Sequence, residues 1–182
     1  MKFIPKGIKT YPQGNRNLSP GESPFKTGGF SLVEVLAAIL LIGLAVTALL
    51  AANTSLTKAN GAAVDLSTSE FLIEQIRELT ILLAVVDPQT GDDTFGPEEA
   101  ALADYDDLDD FDNKSFSPPI GCDKSLLNNF AAFTQKIKVE NVSASNFELV
   151  VGDHGSSFVR ITVEVFLNSR LISSVSWIRA RY

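Results

Sequence analysis

The chain has 182 residues, with 15 Lys plus Arg against 22 Asp plus Glu, one His and one Cys. That suits one domain with an attachment and is too short for a multidomain enzyme. Hydrophobic residues make up 45% and charged residues 20%, a globular composition in which disorder can only be local. One Cys excludes an internal disulfide framework and a Cys-based zinc cage, and one His removes most nucleophile–base chemistry.

The net charge of −7 hides a split. Residues 1–29 hold Lys2, Lys6, Lys9, Arg16 and Lys26 against Glu22, a charge of +4, which leaves −11 for residues 30–182. So acidic a body argues against nucleic acid as a partner, because phosphate binding draws on clustered Lys and Arg. Pro5, Pro12, Pro20 and Pro24 sit among Gly, Ser and Asn in the basic segment, a mixture that sustains neither helix nor strand, so 1–29 is expected to be a flexible leader.

The next element is apolar. Val35 to Ala52 is an 18-residue stretch without a charge, about 27 Å long as a helix and close to the hydrocarbon thickness of a bilayer. The basic flank precedes it and Lys58 is the only basic residue soon after. The N-terminus is therefore expected in the cytoplasm and the acidic body on the other side. A secretory signal is the competing reading, but its apolar core is shorter and its cleavage site lies after that core, whereas here Gly28-Gly29 stands in front. Glu34 is out of place at the start of an apolar helix, where a carboxylate must reach water or find a cation. Cleavage between Gly29 and Phe30 would create such a cation, the new α-amino group, which Glu34 of a neighbouring subunit can pair with.

Lys26, Gly28-Gly29, Phe30-Ser-Leu-Val-Glu34-Val and the unbroken apolar helix resemble the cleavage and methylation signature of type IV pilins and type II secretion pseudopilins. The resemblance covers about 25 residues. It implies cleavage after Gly29 by a prepilin peptidase, N-methylation of Phe30, and Glu34 neutralising a neighbour's N-terminus during assembly. The implied partners are other pilins or pseudopilins, an inner-membrane assembly platform and membrane lipid. The implied location is the bacterial inner membrane, single-pass with the head periplasmic, then a periplasmic or cell-surface filament. The long leader, and a span with Gly43 but no proline, fit a minor pilin or pseudopilin better than a bulk subunit.

Beyond the span (30–52), Leu56, Ala59, Ala63, Leu66, Phe71, Ile76, Leu79 and Leu83 continue at helical spacing, predicting an amphipathic continuation over 53–86 with one face on a core and a weak point at Gly61. Asp87-Pro88 should end it. The segment 87–129, with Pro88, Gly91, Gly96, Pro97, Pro118, Pro119 and Gly121, reads as an acidic loop region. After it the period changes to two. TQKIKVENV, NFELVV, SFVRITVEVFL and RLISSVSWIRARY, separated by turn compositions, predict a four-stranded antiparallel meander over 130–182 with one face on the helix. The expected class is α+β, in a type IV pilin-like arrangement.

Within the loop region, EEAALADYDDLDDFDN carries Asp104, Asp106, Asp107, Asp109, Asp110 and Asp112. Clustered carboxylates suit hard cations such as calcium, but no register matches an EF-hand loop. Tyr105, Leu108 and Phe111 recur every three residues, which predicts a docking turn with these three inward and the aspartates in water; the calcium reading stays beside it. YDDLDDF also resembles a motif of minor pilin-like proteins of the mannose-sensitive haemagglutinin pilus type. His154, in Val-Gly-Asp-His-Gly-Ser-Ser, is expected in a hairpin turn, and Cys122 as a buried or tolerated thiol. Lys136, Lys138, Arg160, Arg170, Arg179 and Arg181 fall on strands and are expected on the solvated outer face, with a DNA-contacting patch as the alternative. No catalytic residue and no cofactor other than possible calcium are expected. A tip module with adhesive or DNA-binding activity is the rival function, and a tethered hydrolase is disfavoured by the shortage of His and Cys.

Overall fold

A computed structural model of the chain describes residues 28–87, 95 and 96, and 99–181. Most of the expected leader, and Pro88 of the predicted helix stop, lie outside the described residues. The chain divides into two units between Leu49 and Leu50.

Helix α1, Leu32–Ile81, contributes to both units. Its start is set locally: the Glu34 amide donates to Ser31 Oγ at 3.2 Å, so Ser31 satisfies one of the donors that every helix N-terminus leaves open. Gly61 does not interrupt the helix. Up to Leu49 the helix is exposed along its whole length and, with residues 28–31 before it, makes up the described part of the first unit. It is long and apolar enough to cross a membrane, its most apolar window having a mean hydropathy of 2.8.

In the second unit the same helix buries Ser69, Leu72, Ile73, Ile76, Leu79 and Thr80, at the three- and four-residue spacing of a single stripe. Ile76 and Leu79 belong to the predicted stripe, but its earlier members Leu56, Leu66 and Phe71 are exposed. The stripe that packs against the sheet starts only at Ser69.

The sheet has five antiparallel strands, not the predicted four. These are β1 Lys114–Phe116, β2 Phe133–Ser143, β3 Asn146–Val150, β4 Phe158–Leu167 and β5 Arg170–Ala180. The order β1-β2-β4-β5 also corrects the simple meander. β2 pairs with β4 from Phe133 to Val142 along one edge. The other edge holds β1 opposite residues 135–137 and β3 opposite Val142 and Ser143. The β4–β5 hairpin turns through Asn168 and Ser169, both at positive φ (48° and 68°), as a two-residue turn matched to the strand twist requires.

Alternation sends Ile137 and Val139 of β2, and Val159, Ile161, Val163 and Val165 of β4, onto α1. Tyr105, Leu108, Phe111 and Ile120 from the connecting segment complete the core. At the centre lies a polar clamp. Gln135 is fully buried; its Oε1 accepts from the Ile120 amide at 2.7 Å, and its Nε2 donates to the Leu72 carbonyl at 2.8 Å and the Ile120 carbonyl at 3.2 Å. One side chain thus joins helix, sheet and loop.

The helix stops at Ile81, earlier than the predicted Val86. The reason is distant in sequence: Arg179 of β5 donates through Nη1 to the carbonyls of Thr80 and, at 2.9 Å, of Leu83. A guanidinium here satisfies carbonyls left open at the helix end and complements the negative end of the helix dipole. Arg179 therefore faces α1 and not the outer face.

Candidate functional site

Two groups of residues carry possible function. The first is the start of α1. Gly28, Gly29 and Phe30 precede the helix, and Phe30 is 82% exposed. Leu32, Val33, Leu36, Ile39 and Leu40 are likewise exposed, and so is every large apolar side chain of α1 up to Leu56. Among the described residues no ion pair reaches Glu34. The helix thus begins two residues beyond the Gly29–Phe30 bond, with a carboxylate in its first turn and an uncovered apolar surface behind it. Ser31 was missed as a functional position; its signal was the Ser-x-x-Glu spacing of Ser31 and Glu34, a capping-box pattern.

The second group is the acidic segment, where the predicted docking turn forms but Asp107, Asp109 and Asp110 do not face water. Tyr105, Leu108 and Phe111 are buried, with Tyr105 and Phe111 edge-to-face at 5.2 Å. On the other side the chain that leaves α1 covers the turn: the Leu108 amide donates to the Ala84 carbonyl at 3.0 Å, and the Gly96 amide to Asp109 Oδ2 at 3.2 Å. Asp107, Asp109 and Asp110 are consequently 2%, 1% and 0% exposed.

Several of these carboxylates hold backbone. Asp110 Oδ2 accepts from the amides of Asp106 (2.9 Å) and Asp107 (3.3 Å), and Asp107 Oδ1 accepts from the Asp110 amide at 3.1 Å. Asp112 Oδ1 accepts from the Val139 amide at 2.8 Å, fixing the turn to β2. Asp104 is exposed and belongs to no such arrangement. Burial, reinforced by the neighbouring Asp109, pushes the Asp107 carboxyl up to about 7. Burial also raises Asp110, and the hydrogen bond with Asp110 raises Glu99. Glu99, Asp106 and Asp110 each offer a carboxylate oxygen, the three lying within 4.8 Å of one another. Glu99 was not among the residues singled out from the sequence. It lies in the same acidic run, but its spacing from Asp106 and Asp110 matches no metal-loop pattern.

The other candidates are structural. His154 sits in the β3–β4 turn at φ 56°, its amide donating to Asn141 Oδ1 at 2.9 Å. In that turn a Cβ on Gly155 would meet the Gly152 carbonyl oxygen at 2.7 Å, so the tight chain path requires glycine. Cys122 is exposed, contrary to the buried alternative. The strand cations do not gather. Lys136 stands opposite Glu164 and Arg160 opposite Glu140 on the open face, with Arg160 and Lys138 both paired to Glu140 at 2.9 and 2.6 Å. Arg170 lies 3.6 Å from Asp65. No protein-family model, curated protein or solved structure matches the chain.

Proposed function

We propose that the chain is a minor pilin or pseudopilin, a structural subunit of a type IV pilus or a type II secretion pseudopilus. In this reading prepilin peptidase cleaves after Gly29 and Phe30 is N-methylated. The helix anchors the subunit in the bacterial inner membrane with its N-terminus cytoplasmic and its head periplasmic, and the assembly platform then draws it into a filament. Other pilins or pseudopilins take the place of lipid around α1.

The observation that carries the reading is the coincidence of three features at one point: the Gly-Gly-Phe-Ser-Leu-Val-Glu motif, a helix capped at Ser31, and an apolar surface left uncovered from Phe30 onward. Exposed apolar area of this extent must be covered by lipid or by protein. The uncovered surface continues through Leu56, Val64 and Leu66, beyond the charge-free span. A membrane anchor alone has no use for that extension, whereas a helix packed among like helices does. Glu34 tolerates such surroundings only with a cation beside it, and the amino group of a neighbour's Phe30 supplies one. The long helix packed on an antiparallel sheet supports a type IV pilin-like fold.

The test is mass analysis of the N-terminus of protein extracted from membranes and filaments. The expected mature chain begins at N-methylated Phe30. Assembled filaments containing the chain with residues 1–29 intact would refute the proposal.

A further inference from the structure

The acidic segment poses a problem that the filament reading does not touch. Glu99, Asp106 and Asp110 bring carboxylate oxygens to within 4.8 Å of one another, with Asp110 buried and the other two half-buried, close enough for mutual repulsion. In a calcium shell with ligands at about 2.3–2.6 Å, three oxygens spaced evenly around the ion stand about 4.0–4.5 Å apart, so three within 4.8 Å of one another need at most a small side-chain shift to touch one ion. Carboxylates alone suit a hard cation and give a soft one no reason to bind.

An independent observation points the same way. Asp110 is fully buried, with Oδ2 occupied by the two backbone amides, while Oδ1 has no N–H or hydroxyl donor and its carboxyl group faces that of Glu99. Buried polar atoms are almost always partnered, and two facing carboxyl groups partner each other only through a shared proton or a cation between them. The lysines nearby are engaged elsewhere. Lys124 donates to the carbonyls of Ala103 and Tyr105 at 3.0 and 2.5 Å, and Lys114 lies over the Tyr105 ring at 5.4 Å. No ion pair involves Glu99 or Asp110 among the described residues.

We propose that Glu99, Asp106 and Asp110 form a calcium site that fixes the acidic turn against the core. Water or backbone oxygen completes the shell. The ion offsets the repulsion among the three carboxylates and takes the place of a proton shared between Asp110 and Glu99.

The test uses the full chain in detergent micelles, stripped with a chelator and titrated calorimetrically with calcium chloride or magnesium chloride. Thermal unfolding is followed in parallel by the fluorescence of Trp177, the single tryptophan. One calcium per chain is expected, with a melting temperature that rises on saturation. Glu99→Gln should weaken calcium binding at least about tenfold, since ligand charge sets affinity in such sites. Asp110→Asn should do the same while keeping an acceptor for the two amides. Should Asp110→Asn not fold, Glu99→Gln decides alone, because half-buried Glu99 bonds no backbone beyond its own amide. Asp104→Asn, changed at an exposed position outside the trio, should bind like the parent. No binding and no thermal shift at about 10 mM calcium, a range that covers even weak extracellular sites, would overturn the proposal. So would unchanged affinity in Glu99→Gln, loss of binding in Asp104→Asn, or a preference for magnesium.

Discussion

Replacing Gln135 by Leu tests whether the central clamp holds the second unit together. Leucine nearly matches glutamine in volume, so the change leaves little cavity and isolates the loss of hydrogen bonds. The Leu72 carbonyl lies inside α1 and keeps its helical partner, so its loss is minor. The amide and carbonyl of Ile120 are different: both bond Gln135, and Ile120 is fully buried. Each buried group left without a partner costs about 1–3 kcal/mol, giving about 2–5 kcal/mol after allowance for the apolar gain of leucine. That is a large share of the 5–15 kcal/mol by which a typical domain is stable. Urea unfolding of the full chain in detergent, read through Trp177, should show a lower midpoint at unchanged slope. A Leu variant within about 0.5 kcal/mol of the parent, or above it, would refute the reasoning. It would mean that an apolar contact replaces the clamp, as can happen when buried polar groups are exchanged for hydrocarbon.

The other predictions concern three separate contacts. Arg179→Met should destabilise the second unit by about 1.5–3 kcal/mol, the range for hydrogen bonds from a charged group, measured by the same urea titration, with Arg179→Lys recovering part of it. Glu34→Ala should abolish entry into filaments while leaving the membrane level of the protein unchanged, scored by immunoblot of sheared filaments and membranes; normal incorporation would rule out the proposed pairing. Burial alone would raise the Glu140 carboxyl, but Lys138 and Arg160 outweigh it and hold it below its usual 4.5. A carboxylate held down in the folded state stabilises above its unfolded value and loses that contribution as pH falls through the folded one. Glu140→Gln should therefore flatten the loss of stability below about pH 4.5, read from melting temperatures across an acid series; an unchanged acid limb would show that the pair contributes nothing.

Much of the sheet was legible because its signal is local. The four segments with period-two alternation became β2 to β5, and Asn168-Ser169 took the two-residue turn that short polar side chains at positive φ allow. The three-residue spacing of Tyr105, Leu108 and Phe111 likewise identified the face that docks. What escaped depends on distant neighbours. β1 is only three residues long, too short for any period to register. The end of α1 is fixed by Arg179, 99 residues beyond Thr80. The aspartates of the turn were assigned to water because they lie opposite a buried face, an inference valid only when nothing covers the far side. Here Ala84 and Gly96 do, and periodicity within the turn contains no information about them. Glu99 escaped for the same reason, since its approach to Asp110 is a matter of chain path. The proposed N-terminal motif is the opposite case: it lies in seven contiguous residues, to which the structure adds the cap at Ser31.

Among the described residues β5 pairs with β4 alone, so its outer margin offers amides and carbonyls that no other described strand takes up along eleven residues. Such a margin recruits stray extended chain and seeds insoluble aggregates, a particular hazard wherever many copies are crowded side by side. Serines at 173, 174 and 176 and the arginine at 170 interrupt what would otherwise be an adhesive hydrocarbon ribbon. The strand is dressed to discourage the wrong kind of polymer.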